Sequence, residues 1–251
     1  MGLEPMKKQS EPLRFLPCGD SALTALFSDE MNNETNRRIR FLAAALDRKA
    51  IRGITETVPT FCGLTVYFDP LTISARAVKQ KLISLMKTYK DTSAEKKRVF
   101  LIPVCYDGKY APDMDDVCAF TGLDRQQVID LHTSTDYLIY MLGFLPGFPY
   151  LGGMDKRIEV PRLDSPRTAI PAGAVGIGGK QTGIYPLASP GGWRLIGRTP
   201  VKVYDPKQPD PIAYRAGDYI RFYPITAEEF AQIESTGDSQ IEVKEEDVCQ
   251  T

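Results

Sequence analysis

The sequence predicts an α+β protein in two parts, a small N-terminal α/β sandwich over residues 13–90 and a β-barrel over residues 98–225. Two observations carry this. The first stretch runs strand, strand, helix, strand, strand, helix, an order in which helices cover one face of a mainly antiparallel sheet. Later, twelve of the 20 glycines fall between Gly143 and Gly197, a density that long helices do not tolerate. Large apolar residues such as Phe148, Ile177 and Trp193 interleave with those glycines, so the segment folds rather than staying disordered. Short strands alternating with tight turns at that spacing read as a barrel.

Residues 13–18 and 22–27 read as two short strands around Gly19-Asp20-Ser21, residue types that supply a positive φ and Asx hydrogen bonding. Residues 33–49 carry Ile39, Leu42, Ala43 and Leu46 at helical spacing, with Asp29 or Asn32 as cap. Residues 54–59 and 63–68 alternate as strands, and Leu64, Val66 and Phe68 share a face. Ser74 caps a second helix reaching to about Tyr89, with Val78, Leu82, Leu85 and Met86 on one side. Residues 91–97 are polar and aperiodic and are expected to be the linker. A strand follows over 98–106, then two short helices over 113–120 and 124–131, Asp124 and Gln127 having the spacing of a capping box. His132 stands at the end of the second of these. From Tyr137 to Phe222 short strands and turns alternate, and residues 226–251 are expected to hold a turn of helix and a charged tail. Residues 1–12 are read as a flexible N-terminus.

Composition excludes several function classes. Lys and Arg number 31 against 32 Asp and Glu, for a formal net charge of -1, so no overall field attracts nucleic acid or an anionic membrane. No signal-peptide core and no run of about 20 apolar residues is present, and the chain is expected to be soluble and cytoplasmic. Five scattered cysteines without a C-x-x-C pair read as reduced thiols, and with His132 the only histidine no zinc ligand set is expected.

Generic nucleotide and hydrolase motifs fail. Gly176-Ile-Gly178-Gly179-Lys180-Gln181 resembles a phosphate loop, but a Walker A needs Gly where Ala174 stands and Ser or Thr where Gln181 stands. Read as a dinucleotide fingerprint, the same run lacks its last glycine. Gly19-Asp-Ser21-Ala-Leu23 lacks the second glycine of a nucleophile elbow. What remains is a set of polar residues among aromatics. Arg162, Arg167, Arg194 and Arg198 are either bidentate anchors for a carboxylate or phosphate, or solvated rim residues. Gln181 and Tyr185 add polar contacts, and Phe144, Phe148 and Tyr150 form an apolar patch. Trp193 is either core or a ligand platform. His132 is either a capping cation at a helix end or a proton carrier.

These residues carry a family resemblance. Gly143-Phe-Leu-Pro-Gly-Phe-Pro-Tyr-Leu-Gly-Gly153, Pro161-Arg162 with Pro166-Arg167, Gln181-Thr-Gly-Ile-Tyr-Pro186 and Ser189-Pro-Gly-Gly-Trp193 closely resemble the allophanate hydrolase subunit 1 family. Its members include the B subunit of bacterial 5-oxoprolinase and the Bacillus sporulation kinase inhibitor KipI. The resemblance runs from Gly19-Asp20-Ser21 to Gly217-Asp218 and departs locally at Tyr110-Ala-Pro-Asp-Met114, where relatives usually read Tyr-Gly-Pro-Asp-Leu.

The resemblance implies that the barrel is cyclophilin-like. It also implies work with an allophanate hydrolase subunit 2-type partner, which is the C subunit of 5-oxoprolinase, and with the A subunit of that enzyme. The implied reaction is ATP-dependent opening of 5-oxo-L-proline to L-glutamate, with ATP shared with or bound by a partner and no metal in this chain. Within it, His132 is expected to be catalytic, and Arg162, Arg167, Gln181, Tyr185, Phe144, Phe148, Tyr150, Trp193 and Arg198 to bind substrate. Two alternatives from the same family are a KipI-type inhibitor bound to a sensor histidine kinase, and part of an amidohydrolase or carboxyltransferase that acts on allophanate or another urea derivative. A peptidyl-prolyl isomerase is suggested by fold analogy alone.

Overall fold

Strands β1 (Arg14–Cys18) and β2 (Ala22–Leu26) form an antiparallel hairpin whose turn is made possible by Gly19 at φ +68°. After α1 (Asn33–Lys49), β3 (Ile54–Pro59), β4 (Gly63–Phe68) and α2 (Ala75–Met86), the strands lie in the antiparallel order β1-β2-β4-β3. Alternation sends Leu23, Ala25, Leu64, Val66 and Phe68 to one face, where they pack against Ile39, Leu42 and Leu46 of α1 and Val78 and Leu82 of α2. Asn32 caps α1 by accepting the Thr35 amide at 2.8 Å, and Ser74 caps α2 by accepting that of Ala77 at 3.3 Å. The second helix ends at Met86, before the expected Tyr89.

This is a computed structural model that describes residues 13–90, 96–237 and 240–246. The chain divides into two compact units, Met1–Asp91 and Thr92–Thr251. The expected flexible N-terminus at 1–12 and most of the expected linker lie outside the described residues, while Lys97, assigned above to the linker, already belongs to the first barrel strand.

That strand is β5 (Lys97–Cys105), followed by α3 (Met114–Thr121), α4 (Arg125–Thr133), β6 (Tyr137–Leu142), β7 (Pro149–Gly152) and β8 (Arg167–Ile170). The chain continues through β9 (Ala174–Gly178), β10 (Gln181–Ile184), β11 (Ser189–Gly191), β12 (Arg194–Arg198) and β13 (Tyr219–Ile225). It ends with α5 (Ala227–Thr236) and β14 (Glu242–Glu246). The strand order β12-β9-β10-β7-β6-β13-β5 closes on itself where Arg198 of β12 pairs with Cys105 of β5, so the fold is α+β with a closed barrel. Closure depends on Gly197, since a Cβ there would lie 2.5 Å from Val104 Cγ1. Ile102, Val104, Ile139, Leu151, Val175, Ile177, Ile196 and Phe222 fill the interior. Strands β8 and β11 pair separately as a ribbon.

The C-terminal segment corrects the expected turn of helix and charged tail. Helix α5 runs ten residues behind a Thr226–Glu229 capping box. Residues Glu242–Glu246 form an antiparallel strand on β5, from Glu242 opposite Leu101 to Glu246 opposite Lys97. Its charges hid it in the sequence, because an edge strand facing solvent carries charge where a central strand would be apolar. Among the described residues no helix is long and apolar enough to cross a membrane.

Candidate functional site

Asp113 is the hub of the site. It precedes α3, yet its carboxylate makes no capping hydrogen bond and is turned the other way. Its backbone N–H donates to the Leu195 carbonyl at 3.0 Å, and its Oδ2 accepts the Leu195 amide at 2.6 Å, which ties the start of α3 to β12. The other oxygen accepts from Arg167 Nη2 at 2.5 Å, across 54 residues of sequence. Asp113 is almost wholly buried, and a buried carboxylate persists only when paired and hydrogen-bonded in this way.

Arg167 and Ala169, two apart on β8, face a cleft of about 310 Å³. Lys109 and Tyr110 of a short turn after β5, and Leu195 and Arg198 of β12, also line it. Pro112, Pro171 and Ala174 complete the lining and make part of it apolar. Gly173, at φ +80°, permits the turn that carries Pro171, since a Cβ there would meet Thr199 O at 2.3 Å. The same turn offers the Ala172 carbonyl to Arg198 Nε at 3.0 Å, which fixes that guanidinium at the rim. Its ring-side neighbour is Phe230 of α5, 5.5 Å from the guanidinium carbon. Three cations thus converge on a cleft whose lining contains no acidic side chain among the described residues. Such a site suits a small anion with an apolar body.

Of the substrate-binding residues expected from the sequence, Arg167 and Arg198 meet here and the others do not. Phe148, Tyr185 and Trp193 are buried in a second small core with Ile170 and Leu195, their rings in mutual edge contacts at 5.3 to 6.3 Å. Trp193 is therefore core. Tyr150 lies half-buried against Phe148, and Arg162 lies exposed over the Trp193 ring at 5.9 Å. Gln181 starts β10, paired with Gly178. The expected apolar patch of three aromatics reduces to one, because Phe148 is 2% exposed and only Phe144 stands out, at 63%. Phe144 has φ +67°, and the Leu145 amide bonds the Gly143 carbonyl at 2.8 Å across it, a γ-turn that L-residues seldom adopt.

His132 sits apart from the cleft, wholly buried in the barrel interior. Thr182 Oγ1 donates to the Gly176 carbonyl at 3.1 Å, so it accepts from His132 Nε2–H at 2.8 Å. The opposite nitrogen, Nδ1, then accepts the Tyr106 hydroxyl at 2.8 Å, and the ring stacks on Phe222 at 4.6 Å. This network assigns the Nε2–H tautomer. Burial pushes the ring's pKa down to about 3, so it is neutral at physiological pH, with both nitrogens occupied. The ring expected to be catalytic thus lies inside the barrel, away from the cleft, with both nitrogens hydrogen-bonded within the protein.

Sequence reasoning missed Lys109 and Asp113. The signal was the Tyr110-Ala-Pro-Asp-Met114 segment, where the family resemblance departs locally and whose Tyr110 and Pro112 line the cleft. Among the described residues no group of His, Cys, Asp and Glu could hold a metal ion.

Comparison with known proteins adds a lineage to this geometry. Residues 13–214 match the family described as carboxyltransferase domain, subdomain C and D. The B subunit of 5-oxoprolinase from Bacillus subtilis (strain 168) is 41% identical over 226 residues, covering 84% of this chain and 92% of that protein. A crystal structure of TTHA0988 superposes with a TM-score of 0.73 at 37% identity, covering 82% of this chain but only 40% of that longer one. The crystal structure of the K. lactis urea amidolyase shares the fold, with a TM-score of 0.80 at 24% identity, over 99% of this chain and 17% of that one.

Proposed function

The chain belongs to the carboxyltransferase domain family, subdomain C and D, and from that premise we propose that it is the B-type subunit of a cytoplasmic, ATP-dependent 5-oxoprolinase. The observation that carries this reading is a similarity to the B subunit of 5-oxoprolinase that runs through most of both chains. We read the barrel as cyclophilin-like, and the working enzyme as a complex with the A and C subunits of 5-oxoprolinase.

An unstrained lactam resists water. Transfer of the ATP γ-phosphoryl group to the amide oxygen would make that oxygen a leaving group, and the protein's task is then positioning and charge stabilisation. In this reading the cleft of Lys109, Arg167 and Arg198 holds the anionic part of a reactant, with Asp113 fixing the Arg167 fork. Neither a Walker A nor a dinucleotide fingerprint occurs in the sequence, and we assign the ATP site to a partner or to a surface shared with one. Arg162 and Phe144 stand beside the small core of Phe148 and Trp193, and we assign them, with Gln181, to partner contact rather than to substrate.

The test is reconstitution. The chain co-expressed with the A and C subunits should release ADP and glutamate from ATP and 5-oxo-L-proline, and mixtures lacking it should not. Equal turnover without this chain, or its separate elution from both partners, would remove the assignment.

A further inference from the structure

The charge in the cleft is larger than a substrate carboxylate can match. Arg167 is offset by the buried Asp113, which leaves Lys109 and Arg198. Arg198 has a carboxylate within reach in Glu234, but at 3.8 Å and on a side chain 56% exposed, and such a pair contributes little. Two positive charges are therefore in surplus. Arg167 also has an unused donor: its Nη1 is shut off from solvent and has no hydrogen-bond acceptor. A buried cationic N–H without a partner is costly, so the Arg167 guanidinium is only partly satisfied by Asp113.

We propose that the cleft is a phosphoryl-binding site, taking a dianionic phosphate group in preference to a carboxylate. The proposal deepens the reading above, on which the cleft serves the reacting anion, by naming that anion's class. A phosphate group brings close to two negative charges and three acceptor oxygens, enough for Lys109 and Arg198 together. A carboxylate brings one charge and two oxygens, and leaves one cation unmatched. Pro112, Pro171 and Ala174 make part of the lining apolar, and contacts to the group beside them are less screened than in open water. The phosphate can come from ATP itself, or from the phosphorylated reactant and the inorganic phosphate it releases.

Calorimetric titration of the full chain, at fixed ionic strength, separates these. Inorganic phosphate, ATP and 5-oxo-L-proline are the three probes. Inorganic phosphate is expected to bind at one site, and Lys109→Gln and Arg198→Gln are each expected to weaken it by roughly tenfold or more, the loss of one charge-assisted contact. Lys81→Gln, an equal charge change in the first unit, should leave binding unchanged. Both site variants alter residues at the rim, and an unaltered melting temperature confirms that they fold. ATP binding that is weakened by the same two substitutions assigns the source to the nucleotide; phosphate binding without ATP binding assigns it to the reactant or product. Binding of 5-oxo-L-proline without phosphate, no binding of any probe, or phosphate binding that ignores both substitutions would overturn the proposal. Because the titration needs no partner and no turnover, phosphate binding by a chain that fails in reconstitution would leave this site standing while the hydrolase reading falls.

Discussion

At the scale of single residues, His132 shows how burial decides chemistry. The unfolded imidazole titrates near 6.5, and the native one is held to about 3 by loss of solvent. Between those values the unfolded chain binds a proton that the native ring refuses. Native stability should therefore fall as pH drops from about 6.5 toward 3, by up to ~1.4 kcal/mol per pH unit, and level off below. Urea unfolding between pH 4 and 7 checks this: His132→Gln should lose that slope, and a variant that keeps it would contradict the buried neutral ring. The sequence placed His132 correctly at a helix end but could not say what faces it, because Tyr106, Thr182 and Phe222 come from distant segments. Arg167 and Arg198 were singled out by residue type, since arginines flanked by proline or glycine turns suit fixed bidentate geometry, and the fold places both at one cleft. Asp113 was not legible. A carboxylate at a helix start reads as a cap, and only the path of β12 reveals that it holds Leu195 and Arg167 instead.

Elements were legible where periodicity was strong. The two helices of the first unit follow from Ile39, Leu42 and Leu46, and from Val78 and Leu82, all buried against one sheet face. Strand β14 was lost because its five residues include a single apolar side chain, Val243. It is held by ions rather than by alternation. Asp136 accepts from Arg221 Nε at 2.5 Å and from Lys97 Nζ at 2.6 Å, and Glu246 of β14 bridges the same two cations at 3.0 and 3.2 Å. Hydrogen bonds from Arg221, then Lys97, hold both carboxyls below their usual range. The sign follows directly: carboxyls with lowered native pKa values favour the folded arrangement at neutral pH, and that contribution disappears as pH falls from the ordinary carboxylate range, about 4, through the native values. Protection of the β14 amides, taken relative to the intrinsic exchange rate at each pH, is expected to fall on acidification over that range. Glu246→Gln should show that lowered protection already at pH 7; protection equal to wild type would mean that the ladder alone holds the strand.

For the whole molecule, two cores matter more than any single contact. Leu23, Ile39, Leu64 and Leu82 belong to one cluster, and Ile102, Ile139, Val175 and Phe222 to another, so each unit buries its own apolar face. Binary patterning made this division readable, because the polar, aperiodic run at 91–97 interrupts two segments of strong alternation. Barrel closure was less readable: it depends on a single pairing, Arg198 with Cys105, between strands some 90 positions apart, and loop-scale signals carry no such long-range information. If each core stands alone, the peptide bonds between them are the first to be cut when proteolysis is mild, since cleavage inside a unit requires that unit to open. Trypsin at low ratio should therefore cut at Lys90 or Lys96 before any site between Leu101 and Phe222, although Arg125, Arg157, Arg162 and Lys180 lie in that interval. Mass spectrometry of the early products would show two fragments, and the larger should resist further digestion. Early cleavage after Arg157 or Arg162 would show instead that the segment between β7 and β8 opens more easily than the boundary, and the chain would then have to be treated as one cooperative unit.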